Sequence, residues 1–82
     1  MSDFTVKMNV PVEHMQNVFG KCDSYVKKIE RDLHVTIVNR DEGVRLSGDE
    51  KNVNRARSVL KSLITLSERG NIVEEQNVDY TL

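Results

Sequence analysis

At 82 residues the chain has room for one domain and one modest core, since further division would leave too much of its 38% apolar complement in water. Charged residues make up 30% but nearly cancel to a net −1, which argues against the strongly basic balance of a dedicated nucleic-acid clamp. The single cysteine, Cys22, excludes an internal disulfide and suits a reducing compartment, so the expected location is the cytoplasm.

Residues 4–9 alternate apolar and polar, which predicts a half-buried strand with Phe4, Val6 and Met8 inward. Pro11 suits the first turn of a helix, where its missing N–H costs nothing. Val12, Met15, Val18 and Phe19 then recur at helical spacing until Gly20 stops the run. A second helix restarts after Asp23 or Ser24, either of which can act as N-cap through a side-chain oxygen. Val26, Ile29 and Leu33 form its apolar stripe, with Tyr25 beside them. Lys27, Lys28, Glu30, Arg31 and Asp32 are expected to face away.

Val35–Arg40 and Val44–Ser47 read as two strands of a hairpin, joined by a three-residue turn, Asp41-Glu42-Gly43. Asp49 is the expected cap of the longest helix. Val53, Ala56, Leu60, Leu63 and Ile64 follow at three- and four-residue intervals, with Val59 and Leu66 widening the stripe until Gly70. Residues 1–70 thus predict one α+β domain of order β-α-α-β-β-α, a three-stranded sheet with its helices packed on one face. Residues 71–82 show weak periodicity and read as a linker. Charge divides along the same boundary. Residues 20–70 sum to +3, residues 71–82 to −3, and a mildly basic body carries an acidic tail.

No apolar run approaches the roughly 18 residues of a membrane span, and the first residues lack a basic start followed by an apolar stretch, as a signal peptide requires. His14, Cys22 and His34 match no common zinc spacing, and no second thiol accompanies Cys22, so neither a metal nor a catalytic residue is assigned. Gly43-Val-Arg-Leu-Ser-Gly48 has the glycine spacing of a P-loop, but Asp49 stands where the phosphate-binding lysine must be. This chain is therefore not expected to be an enzyme or to hold a cofactor.

The segment Gly20-Lys21-Cys22-Asp23, followed by Ser24, Val26, Lys27 and Ile29, resembles the G-x-x-G loop and second helix of a KH domain of type I order. Leu46-Ser-Gly48-Asp49-Glu50, Val53 and Ala56 match its later pattern. More narrowly, Gly20-x-x-Asp23, Ile29-Glu30, Val35-x-Ile37-x-x-Arg40, Leu46-x-Gly48 and Ala56 are similar to the KH-like region that begins PhoH-like proteins. Gly70 to Val78, with Ile72 and Glu75, resembles that family's join to a P-loop ATPase domain. The resemblance implies a C-terminal ATPase domain of the same protein, outside this chain, with ATP and Mg²⁺ as its cofactors. It also implies RNA or another single-stranded nucleic acid as partner.

KH loops bind by letting the nucleic-acid backbone lie against the glycines and the N-terminus of the second helix. Gly20 and Lys21 are kept here, but Asp23 replaces the second glycine, and as an N-cap it would occupy N–H groups that phosphate needs. Lys27, Lys28 and Arg31 on the second helix and Arg40 and Arg45 on the hairpin are the other candidate contacts. Two readings stay open. In one, the domain is a non-catalytic accessory of an ATP-binding protein and contacts RNA through this basic face. In the other, its loop is disabled and it positions or oligomerises the ATPase domain, as a homo-oligomer or otherwise.

Overall fold

The computed structural model describes residues 4–40 and 43–82. Strand β1 (Phe4–Met8) leads through Val10 and Pro11 into helix α1 (Val12–Phe19). A single 3₁₀ turn (Lys21–Asp23) joins it to α2 (Ser24–Leu33). Strands β2 (Thr36–Arg40) and β3 (Gly43–Gly48) precede the long α3 (Glu50–Glu68), and α4 (Glu75–Thr81) closes the chain. The sheet is antiparallel throughout in the order β1-β3-β2, with Val6 opposite Leu46 and Leu46 opposite Ile37. The α+β architecture and its one-sided helical layer are those expected. Among the described residues no helix is long and apolar enough to cross a membrane.

Period-two alternation places Val6, Met8, Val44, Leu46 and Ile37 on the face that the helices cover. Val26, Ile29 and Leu33 from α2 and Val53, Ala56, Leu60 and Leu63 from α3 meet them in one core. Asp49 caps α3 as expected, its carboxylate accepting from Lys51 N at 3.2 Å. Asp49→Ala is therefore expected to cost about 1 kcal/mol. Urea denaturation should show it as a midpoint lowered by about 0.3–1 M with unchanged slope, and an unmoved midpoint would mean that the cap contributes nothing. At the other end, Asn71 N bonds Leu66 O and Gly70 N bonds Ser67 O, with Gly70 at φ +88°. This pair of bonds is a Schellman ending, and glycine adopts its left-handed turn without a Cβ clash.

In the packing of its elements the structure corrects four expectations. Val12 is 86% exposed and lies off the buried stripe of α1, which consists of Val18 and Phe19 with Met15 half-buried. Glu30 does not face away from the body, since its carboxylate accepts from Ile37 N at 2.8 Å and satisfies an N–H on the open edge of β2. Arg40 pairs directly with Gly43, so Gly43 belongs to β3, while Asp41 and Glu42 of the expected turn lie outside the described residues.

The fourth correction is the largest. The acidic segment 71–82 folds against the body, with Val73 and Val78 fully packed into the core and Leu82 partly so. Glu74 and Asn77 form a reciprocal capping box that starts α4. The Thr81 hydroxyl donates back to the Asn77 and Val78 carbonyls.

Candidate nucleic-acid interface

Asn17 of α1 fastens the segment after α3. Its Oδ1 accepts from Val73 N at 2.8 Å, and its Nδ2 donates to Ser67 Oγ at 2.8 Å and Asn71 O at 2.9 Å. Ser67 Oγ also meets His14 Nδ1 at 2.7 Å. From α2, the Tyr25 hydroxyl donates to Val73 O at 3.0 Å. Both helices that flank the Gly20 loop are therefore tied to the same short stretch of backbone.

The loop has an unusual backbone. Gly20 sits at φ +82°, ψ 173°, a region that essentially only glycine occupies. Cys22 and Asp23 follow with φ of +54° and +58°, left-handed values that L-residues rarely adopt. Asp23 stands where the loop pattern has its second glycine, and its backbone takes a glycine-like conformation. Aspartate tolerates this better than most residues, because its short polar side chain can satisfy itself locally.

The expected N-cap role of Asp23 is not seen. Its side chain makes no capping hydrogen bond, and Asp23 is exposed. Its backbone N–H bonds Gly20 O at 3.2 Å, and Ser24 N–H bonds the Lys21 carbonyl. The Asp23 carboxylate consequently leaves the first-turn N–H groups of α2 uncapped, and only its charge opposes an anion there.

A groove of ≈ 400 Å³ opens beside this loop. Val12, Met15 and Phe19 of α1 form its apolar floor, while Gln16 and Asn39 supply amides on either wall. Asn39 Nδ2 reaches Met15 Sδ at 3.2 Å across it. Among the described residues Lys21 is the one cation at its rim, with Cys22 and Asp23 completing the loop side. The arrangement offers a cation and glycine backbone for phosphate, an aliphatic bed for bases and amides for their edges.

Of the candidate residues, the structure brings Gly20 and Lys21 into this groove. Lys27 and Arg31 lie one turn apart on the exposed side of α2, and Arg31 stands 3.9 Å from Asp32. Arg40 is exposed at the end of β2, on the strand face opposite Asn39. Arg45 lies on the outer face of β3, across from Lys7 and Val38. Lys28 turns to α4, where it pairs with Glu75 at 3.3 Å and with Asp79. The Asp79 carboxylate, accepting its hydrogen bond, holds the Lys28 ammonium above its ordinary value against the lowering effect of desolvation, and Glu75 adds a smaller upward contribution. The tail thus covers Lys28, as opposite charges on tail and body suggested.

Val12, Met15, Gln16 and Asn39 were not singled out from the sequence as site residues. Val12 and Met15 carried the only signal, apolar positions at helical spacing, and both read as core. The glycine-spaced segment Gly43–Gly48 is strand β3 with Val44 and Leu46 buried, so it wraps no phosphate. His34 is the exposed left-handed end of α2. Among the described residues no three His, Cys, Asp or Glu side chains gather as metal ligands.

A two-layer β-α-α-β-β-α body with a glycine loop between its first two helices defines a small binding module, and the comparisons agree. The KH domain family model matches residues 5–62, and the chain belongs to that family. It is also 34% identical over 76 residues to a PhoH-like protein of Bacillus subtilis (strain 168). That match takes in 93% of this chain but 24% of the relative, so the chain spans about a quarter of the relative's length.

Proposed function

We propose that this KH domain is a non-catalytic accessory that holds single-stranded RNA in the groove between α1, the Gly20–Asp23 loop and β2. The observation that carries this reading is the uncapped, left-handed loop. Gly20 and Lys21 face the groove, and the Asp23 carboxylate does not occupy the helix N–H groups that a phosphate would use. The likeness to a PhoH-like protein supports placing the domain beside a P-loop ATPase domain, which would bind ATP and Mg²⁺ through residues outside this chain. Segment 71–82, clasped by Asn17 and Tyr25, would then be the mechanical join between RNA groove and ATPase.

A titration of the ¹⁵N-labelled domain with a uridine 5-mer at low and moderate salt tests the groove. Amide shifts are expected on residues 12–24 and at Asn39, fading as salt rises. Asp23→Gly removes the opposing charge and restores the second glycine, and should tighten binding about 3- to 10-fold. Lys21→Glu should weaken it by at least as much. Absence of shifts in wild type and in Asp23→Gly alike would leave the groove without an RNA role.

A further inference from the structure

Helix α3 presents to solvent a polar stripe that the loop groove does not use. Asn54, Arg57, Ser58, Lys61 and Thr65 recur at three- and four-residue intervals, opposite the buried Val53, Ala56, Leu60 and Leu63. The stripe runs for about 16 Å at the helical rise. Arg57 and Lys61 stand one turn apart, a spacing at which like charges repel. Among the described residues neither has an acidic side chain paired with it.

Both cations line two adjoining hollows. One, of ≈ 460 Å³, lies against the end of β1, where Lys7 and Asn9 join them, with Glu68 as the one acid among the described residues that line it. The other, of ≈ 350 Å³, runs between Asn54 and Ser58. Apart from Met8 and Ile64, both half-buried, and the Glu68 carboxylate, the described lining is cationic, amide or hydroxyl. Such donors position a phosphate backbone, and without an exposed aromatic face they read no base. An acidic protein segment would find here only the half-buried Met8 and Ile64 against which to anchor an apolar side chain. In the sheet order β1-β3-β2, the loop groove borders β2 and this surface borders β1, at the opposite edge.

We propose that the α3–β1 face is a second, sequence-independent contact for nucleic-acid phosphates, so that RNA longer than the loop groove engages both edges of the domain. The proposal goes beyond the groove reading and does not depend on it, because the α3 donors act on phosphate whatever the loop does.

Fluorescence anisotropy of the full chain with a uridine 5-mer and a uridine 20-mer, over a series of salt concentrations, tests it. Arg57→Gln/Lys61→Gln should weaken 20-mer binding roughly tenfold and make the slope of log K against log salt shallower by about 1.4, the value for two phosphate contacts. Lys51→Gln/Arg69→Gln removes the same charge elsewhere on the helix surface and should leave the slope within error. Equal losses from both double variants would overturn the proposal in favour of a net-charge effect, and so would an unchanged 20-mer slope in Arg57→Gln/Lys61→Gln. Polyglutamate that matches the 20-mer in shifting the Asn54–Thr65 amides would overturn the assignment to nucleic acid in favour of an acidic protein. The arms separate the two sites. If the groove reading fails, the 5-mer does not bind, yet the Arg57→Gln/Lys61→Gln loss on the 20-mer still appears.

Discussion

Asn17→Leu is expected to destabilise the domain by about 3 kcal/mol and to loosen α4. The wild-type amide satisfies Val73 N, Ser67 Oγ and Asn71 O from one side chain, at 2.8 to 2.9 Å. Leucine has similar bulk but no polar atoms, so Val73 N–H is left buried without its acceptor. Each such orphaned group costs about 1–3 kcal/mol. Against a total stability of about 5–15 kcal/mol for a typical domain, this is a large fraction. Asn17→Asp keeps the acceptor for Val73 N but loses both donated bonds, and should fall between wild type and Asn17→Leu. Guanidinium unfolding measures the loss, and hydrogen exchange at residues 75–82 reports whether α4 opens first. A cost under about 1 kcal/mol, with unchanged exchange, would show that Val73 and Val78 hold the segment by burial alone.

Gly20→Ala should cost about 2–5 kcal/mol and abolish groove binding, although it adds only one methyl group. At φ +82° and ψ 173° an L-residue is strained by about 1–3 kcal/mol before any contact is counted. The added Cβ would lie 2.7 Å from Tyr25 Cγ and Cδ2 and 2.9 Å from Ser24 Oγ. The ring cannot yield freely, because its hydroxyl is bonded to the Val73 carbonyl at 3.0 Å. The loop must therefore change path, carrying Lys21 with it. Tyr25→Phe in the same chain frees the ring and should recover part of the stability, while the backbone strain persists. Thermal or chemical denaturation of wild type and the two variants gives the energies, and the uridine 5-mer titration gives the binding. A Gly20→Ala protein within about 0.5 kcal/mol of wild type would mean that the loop relaxes at almost no cost.

Only part of the loop groove could be read in advance. Gly20 and Lys21 were legible because a glycine between two apolar helical stripes marks a helix end, and the G-x-x-G resemblance gives that glycine a purpose. Val12, Met15, Gln16 and Asn39 were not, since each is ordinary in its own element and Asn39, on β2, meets α1 only in the fold. Helical spacing placed Val12 with the core, but it is exposed on the groove side of α1, away from the buried stripe of Val18 and Phe19. The α4 capping box escaped notice because glutamate is an uncommon N-cap and Val73 and Val78 lie outside helical register with each other.

Local chemistry by itself determined the order of the first six elements, from β1 to α3, the inward faces of the strands, the Asp49 cap, the Gly70 ending and the α+β class. Each depends on periodicity or on one residue's conformational preference, which neighbours in sequence express without help. Tertiary structure alone decided that Asp23 leaves α2 uncapped, that Lys28 is spent on Asp79 and Glu75, and that residues 71–82 belong to the folded body. Those outcomes rest on partners about 50 residues away in sequence, or on a backbone path imposed by the packing of Tyr25 and Val73 around Gly20. Charge along a chain says which groups could pair; the fold chooses which of them meet.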